Sequence, residues 1–538
     1  MPRQSGHHTG IALARTLYEK LSIYGVTSDR IGWFVADNAS NNDTCLEALS
    51  DLLEFEATER RLRCAGHIFN LVAHSILFGT DNANLEPIGD AIYDDDILSL
   101  ELASWRAKGP IGKLHNLVLW IRRSALHRER LQEKQKELGF KDKKQLIQDN
   151  STRWNSTYYS LQRAIELRQP VEAILDEEMS IWQLNCRKAA DNGKDLPPQP
   201  SHLVDYLSQH DWSTITDLLL VLKPLEQATK LLQGHGAGAS HGSIWQVIPF
   251  IEKLLSHFED IREKFNLPPP GDDLQVTLKD TQNTQNSIAR VSSKRRQARS
   301  KAAPPLTPVS NASSSQEHRV LCTNVNAGWA KLNKYYALTD MSSSYVAAVV
   351  LHPAYTWRWL KNKWASKPAW IRDAERRVQH LWADYSCLDV NLRSPVAATT
   401  VRQPPRVVKT DCIFDISDDE GALDASEDEY LVWCQQPRNS LVTQPLSFWT
   451  TEVTRRQYPR LSRMAIDLFT IPAMSDGPER TFSSCSLMIT SHKGSLEFDV
   501  VEYTQCTKNW LRNGAISPQV LIGTRDGDID DEETIHID

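Results

Sequence analysis

Leucines recur every fourth position at 13, 17 and 21, a spacing that predicts a helix over 11–24 with one apolar face, ended by Gly25. The period then changes. Trp33-Phe34-Val35-Ala36 is a short apolar run that stops at Asp37 and a polar turn, which predicts a strand with an acid at its tip. Leu46, Leu49 and Leu53 return to a helical period, with Ser40 or Asn41 as candidate caps, and Arg60 to Cys64 forms a second short run. The order strand, acid, helix, strand predicts a small α/β unit within residues 1–64. Asp43 and Glu47, one and two turns into the helix, are expected to point away from the strand tip.

Helical periods dominate from 65 onward, so the fold class read here is mainly α with a small α/β part. Residues 267–318 are rich in Pro, Ser, Asn, Gln and charge and predict a disordered linker; 391–444 predict a second, acidic one. These divide the helical region into 65–266 and 319–390 and set off a last unit at 445–514, followed by an acidic tail, 515–538. That last unit predicts three helices, Leu461 to Phe469, Glu479 to Ile489 and Val500 to Leu511, with Met464, Leu468, Phe482, Leu487, Val500, Tyr503 and Trp510 on apolar faces. Those faces fit either an internal core or a dimer. Before the second helix, Ser475-Asp476-Gly477-Pro478-Glu479 places cap residues, an early proline and an acid in a first turn. That acid either complements the helix dipole or serves a site.

Composition narrows the partners. The net charge of -7 over 538 residues argues against a globally basic nucleic-acid binder but leaves room for a local basic face. The densest such region outside the linkers holds Arg122, Arg123, His127, Arg128 and Arg130, then Lys134, Lys136, Lys141, Lys143 and Lys144. Either it is a solvated helix face or it binds phosphates without reading bases. Nine scattered cysteines, without a Cys-x-x-Cys pair, predict reduced intracellular thiols and exclude a zinc finger built from such a pair. Cys64-x-x-His67 lacks a second ligand pair, so a buried thiol and a hydrogen-bonded imidazole compete with any metal role. No apolar run approaches the roughly 18 residues of a membrane span, and the first ten residues lack a signal-peptide core.

Four segments in order carry a resemblance. They are Asp37-Asn38-Ala39-Ser40-Asn41-Asn42; Cys64-Ala65-Gly66-His67-Ile68-Phe69-Asn70-Leu71-Val72; Thr152-Arg153-Trp154-Asn155-Ser156-Thr157-Tyr158; and Pro478-Glu479-Arg480-Thr481-Phe482-Ser483. Together they resemble the hAT superfamily of DNA transposases, over about His7 to Trp510. The resemblance implies an RNase H-like catalytic core interrupted by a large helical insertion, and a C-terminal dimerisation region that completes the core. It makes Asp37 and Glu479 two of three catalytic acids, which would hold Mg2+ or Mn2+ in an active enzyme. It places Cys64, His67, Arg153 and Trp154 near DNA, with the indole against a displaced base.

In the family the first acid lies on a strand before the segment resembling His8-Thr9-Gly10, and this sequence starts after it. The resulting expectation is an incomplete triad: a transposase-derived protein that dimerises, contacts DNA and does not cut it, with no cofactor. An active metal-dependent transposase is the alternative if an upstream segment supplies the missing acid. The family setting implies the nucleus, for which Lys294, Arg295, Arg296, Arg299 and Lys301 form a candidate import signal. Ile413, Phe414 and Ile416, followed by acids, resemble a SUMO-interacting strand.

Overall fold

A computed structural model describes residues 9–79, 95–149, 154–233, 242–264, 313–388 and 428–475, together with parts of 481–516, chiefly a helix at 498–512. In chain order the elements are α1 (Gly10–Ile23), β1 (Phe34–Ala36), α2 (Ser40–Leu53), β2 (Arg61–Arg63), α3 (Ala65–Phe78), α4 (Asp95–Arg106), α5 (Pro110–Arg123), α6 (Ala125–Glu137) and α7 (Trp154–Glu166). There follow α8 (Arg168–Asp191), α9 (Gln209–Leu232), α10 (Val247–Lys264), α11 (Ser313–Leu338), α12 (Ser344–Val350), α13 (Pro368–Ser386), α14 (Glu429–Gln435), α15 (Pro459–Phe469) and α16 (Phe498–Arg512). Shorter helical turns lie between some of them.

β1 and β2 pair in parallel, with Phe34 opposite Arg61, Val35 opposite Leu62 and Ala36 opposite Arg63. Strand alternation divides the side chains between two cores. Trp33, Val35 and Leu62 face a large helical core, while Phe34 faces a small one built from Ala14, Leu46, Leu49 and Leu53. The α1–α2 pair therefore covers one side of the sheet and the helical body the other. The large core runs from Leu62 through Trp212, Phe258 and Val349 to Met474, so segments far apart in sequence share one interior.

Three local expectations change. Ala14, not Leu17, is the buried centre of α1; Leu17 is 37% exposed. The cause is the close approach of α1 to α2: a Cβ on Gly10 would lie 2.6 Å from the Asn41 carbonyl oxygen, which leaves the Leu17 edge facing outward. The N-cap of α2 is Ala39, and neither Ser40 nor Asn41 occupies that position. Finally, α11 begins at Ser313, inside the stretch read as linker, and Asp428 and the helix after it also fall inside a stretch read as linker, 391–444. Asp428 caps α14 by accepting the Tyr430 and Leu431 N–H groups, and buried Glu429 accepts those of Arg460 and Leu461 at the start of α15. Acidic residues that read as linker are thus two helix caps. No helix among the described residues is long and apolar enough to cross a membrane, and the described cysteines are free thiols.

Candidate functional site at the strand tips

The carboxyl ends of β1 and β2 meet at Asp37 and Cys64. The Cys64 N–H donates to the Ala36 carbonyl at 2.9 Å, which carries the pairing one residue past the strands. Asp37 then turns back on its own chain. Its Oδ1 accepts the Ala39 N–H at 2.9 Å and the Asn42 Nδ2–H at 2.7 Å, so the carboxylate steadies the turn into α2.

Two arginines crowd the same tip. Arg61 is buried; its guanidinium donates to the carbonyls of Ala36, Asp37 and Leu62 and pairs with Asp43 at 3.0 Å. Arg63 pairs with Asp43 at 3.1 Å and donates to Asn38 Oδ1 at 3.4 Å. Asp43 therefore faces the tip of β2, contrary to the sequence expectation, because both outward positions of β2 are arginines that draw it in. Behind them, Tyr345 Oη accepts the Arg63 N–H at 2.9 Å, and burial pushes that phenol up to about 12 despite the arginines beside it. The sequence signal for this cluster was the alternation Arg-Leu-Arg at 61–63, with an acid, Asp43, one turn into the preceding helix α2.

The approach to Glu479 is pinned to the same tip. Ile471 O accepts the Ile244 N–H, Ser243 Oγ accepts the Ala473 N–H at 3.3 Å, and Ala473 O accepts the Ala65 N–H at 2.9 Å. The Ser475 N–H then donates to Cys64 Sγ at 3.3 Å. Ser243 can hold this segment because Gly242, at φ +99°, runs hard against the Phe469 carbonyl, where a Cβ would sit 1.5 Å from the oxygen. Glu479 itself lies outside the described residues, as do Arg153, the 294–301 basic cluster and Ile413, Phe414 and Ile416.

Cys64 is buried as the N-cap of α3, and His67 sits in that helix's first turn, half-buried. Trp154 opens α7 at 2% exposure, with its N–H on Asn70 Oδ1 and its ring edge-on to Tyr158. In this state the indole is part of the core. The basic run at 122–144 is largely matched by acids or carbonyls: Arg130 with Glu177 and Glu178, Lys134 with Glu137 and Glu177, Lys144 with Glu166, and Arg122 on the Leu146 carbonyl.

The donor set decides what the tip can hold. A pair of divalent ions about 3.5–4 Å apart requires several carboxylate oxygens free of other cations. Among the described residues of the tip Asp43 is taken by two guanidinium groups and Asp37 alone is free of a cation partner, its Oδ1 holding the turn, so these residues by themselves do not supply the donor set of a two-metal centre.

The region 62–192 matches the family model described as ZBED1 RNase-like helical domain, and 428–511 matches the hAT family C-terminal dimerisation region. A putative AC transposase of Zea mays is 22% identical over 553 residues, covering 96% of this chain and 53% of that protein. A putative AC9 transposase of the same plant is 22% identical over 536 residues, covering 94% and 52%. A putative transcriptional regulator of Talaromyces stipitatus, tpeD, is 27% identical over 271 residues, 49% of this chain and 28% of that protein. The chain thus spans about half the length of the maize relatives. It is similar to hAT family transposases, with matches to that family's dimerisation region and to the RNase-like helical domain.

Proposed function

We propose that this chain is a transposase-derived protein that self-associates through its C-terminal region, contacts DNA at the strand tips and does not itself cut DNA. The observation that carries the last point is the charge at the tip: Arg61 and Arg63 occupy Asp43, the acid one turn into the helix after Asp37, where a cleaving site needs ligands open to divalent cations. Arg63, whose side chain is 21% exposed, leaves a cation at the rim of this tip, and a cation there favours a phosphate backbone over a metal.

A second reading, an active hAT transposase using Mg2+ or Mn2+, is favoured by the bond from Ser475 to Cys64, which delivers the segment leading to Glu479 to this tip. One assay separates the two. Purified protein is incubated with labelled DNA ends of the parent element and magnesium or manganese, beside the Asp37→Ala, Glu479→Ala double variant. The expected result is binding without strand breaks. Cleavage that the double variant lacks would reverse the proposal and establish the second reading.

A further inference from the structure

Helix α11 is packed lengthwise on α3. Asn324 Nδ2 donates to the Ile76 carbonyl at 3.1 Å, and at Gly328 a Cβ would stand 2.5 Å from Ile76 Cγ1 and 3.6 Å from the Val72 carbonyl. Contact this close, without a side chain between, fixes the direction of α11 toward β2. Two further turns bring Tyr335 into the field of Arg63, and burial raises its phenol while that guanidinium opposes the rise. Lys331 precedes Tyr335 by four residues, so both lie on one helix face about 6 Å apart along the axis.

Lys331 differs from most cations of the surface already described. It is half-buried, and burial lowers its ammonium below the ordinary lysine range. The charge beside it is Lys334, a second cation, and no carboxylate among the described residues opposes it. Arg130, Lys134 and Lys144, in the longest basic run, all have glutamate partners. A desolvated ammonium without counter-charge costs stability, and an anion docking there offsets that cost.

We propose that Lys331, with Arg63 beyond it, seats one backbone phosphate of DNA on the rim of the strand tips; this rests on the DNA-contacting reading above. Mobile counterions leave DNA when such a contact forms, so each contact adds about 0.9 to the slope of log affinity against log salt. The full chain is titrated by fluorescence anisotropy against a labelled 25-base-pair duplex at several salt concentrations. Lys331→Gln should weaken binding about 5- to 10-fold near 0.1 M salt and lower the slope by about 1.

Lys331→Arg should keep the slope, and Lys188→Gln, at an exposed position on α8, should change nothing. Relief of the buried charge should also raise the thermal midpoint of Lys331→Gln. Affinity and stability moving in opposite directions is the signature of a binding role. An unchanged slope in Lys331→Gln, or a fall in both affinity and midpoint, overturns the phosphate seat while duplex binding by the unaltered chain stands. Absence of duplex binding by the unaltered chain overturns both readings.

Discussion

At the scale of single residues, Asp37 and His352 show side chains whose local bonds define their work. The two hydrogen bonds accepted by Asp37 Oδ1 hold the entry to α2, so Asp37→Ala should cost about 1 kcal/mol in chemical denaturation. Asp37→Asn keeps an acceptor and should cost much less; equal losses from the two would rule out the capping role. His352 is 1% exposed, ringed by Trp245, Tyr355 and Phe469, and its Nδ1 accepts the Ala354 N–H. Burial, aided by Arg438, lowers its pKa from 6.5 to about 4. The unfolded chain therefore binds this proton more readily than the folded one. The stability contributed by neutral His352 is complete above about pH 6.5 and is lost as pH falls toward 4, by about 2 kcal/mol at pH 5 and about 3 kcal/mol near pH 4. Denaturation of the unaltered chain and of His352→Phe across that range should show the variant's stability falling less.

At the scale of elements, Gly242 governs how the segment after α15 is laid down. With φ at +99° and no room for a Cβ against the Phe469 carbonyl, Gly242→Ala must displace either strand of chain. It should lose at least about 1–3 kcal/mol and expose 470–475 to limited proteolysis. A variant with the parental thermal midpoint and digestion pattern would show that the crossing tolerates movement. The strand pair and the buried face of α2 were legible because their signals are local: a short apolar run stopping at Asp37, and Leu46, Leu49 and Leu53 at helical spacing. Which face of α1 turns inward was not, since a backbone approach at Gly10 outweighs leucine spacing. The cap of α2 was hidden as well, because an acid two positions before the N-cap Ala39 does the holding. Asp428 and Glu429 read as linker because a helix cap and a disordered acidic stretch use the same residues until their partners, here Tyr430 and Leu461, are placed.

At the scale of the whole molecule, α16 turns Val501 inward and leaves Val500, Tyr503 and Trp510 at 44, 70 and 48% exposed, along one stripe. It lies within the matched dimerisation region, so a second copy is the natural cover for it. Light scattering of the full chain at micromolar concentration should report a dimer, and Tyr503→Lys with Trp510→Lys should return a folded monomer. A monomeric mass for the unaltered chain would remove α16 as the contact. The other apolar positions expected on these faces divide differently, since Met464 and Leu468 are fully buried within the chain's own core. Sequence spacing could not separate the two fates, because a helix face looks the same whether a neighbour or a copy covers it.

The bond between Ser475 and Cys64 also sets a timetable. Its partners are about 410 residues apart, and at roughly 5–20 residues per second a ribosome takes about 20–80 s to pass from one to the other. During that interval the side of the sheet that faces the large core, with Leu62 and Val35, lacks the C-terminal part of that core. The nascent chain is then a client for holding factors, and a pause in translation before residue 459 should leave it aggregated.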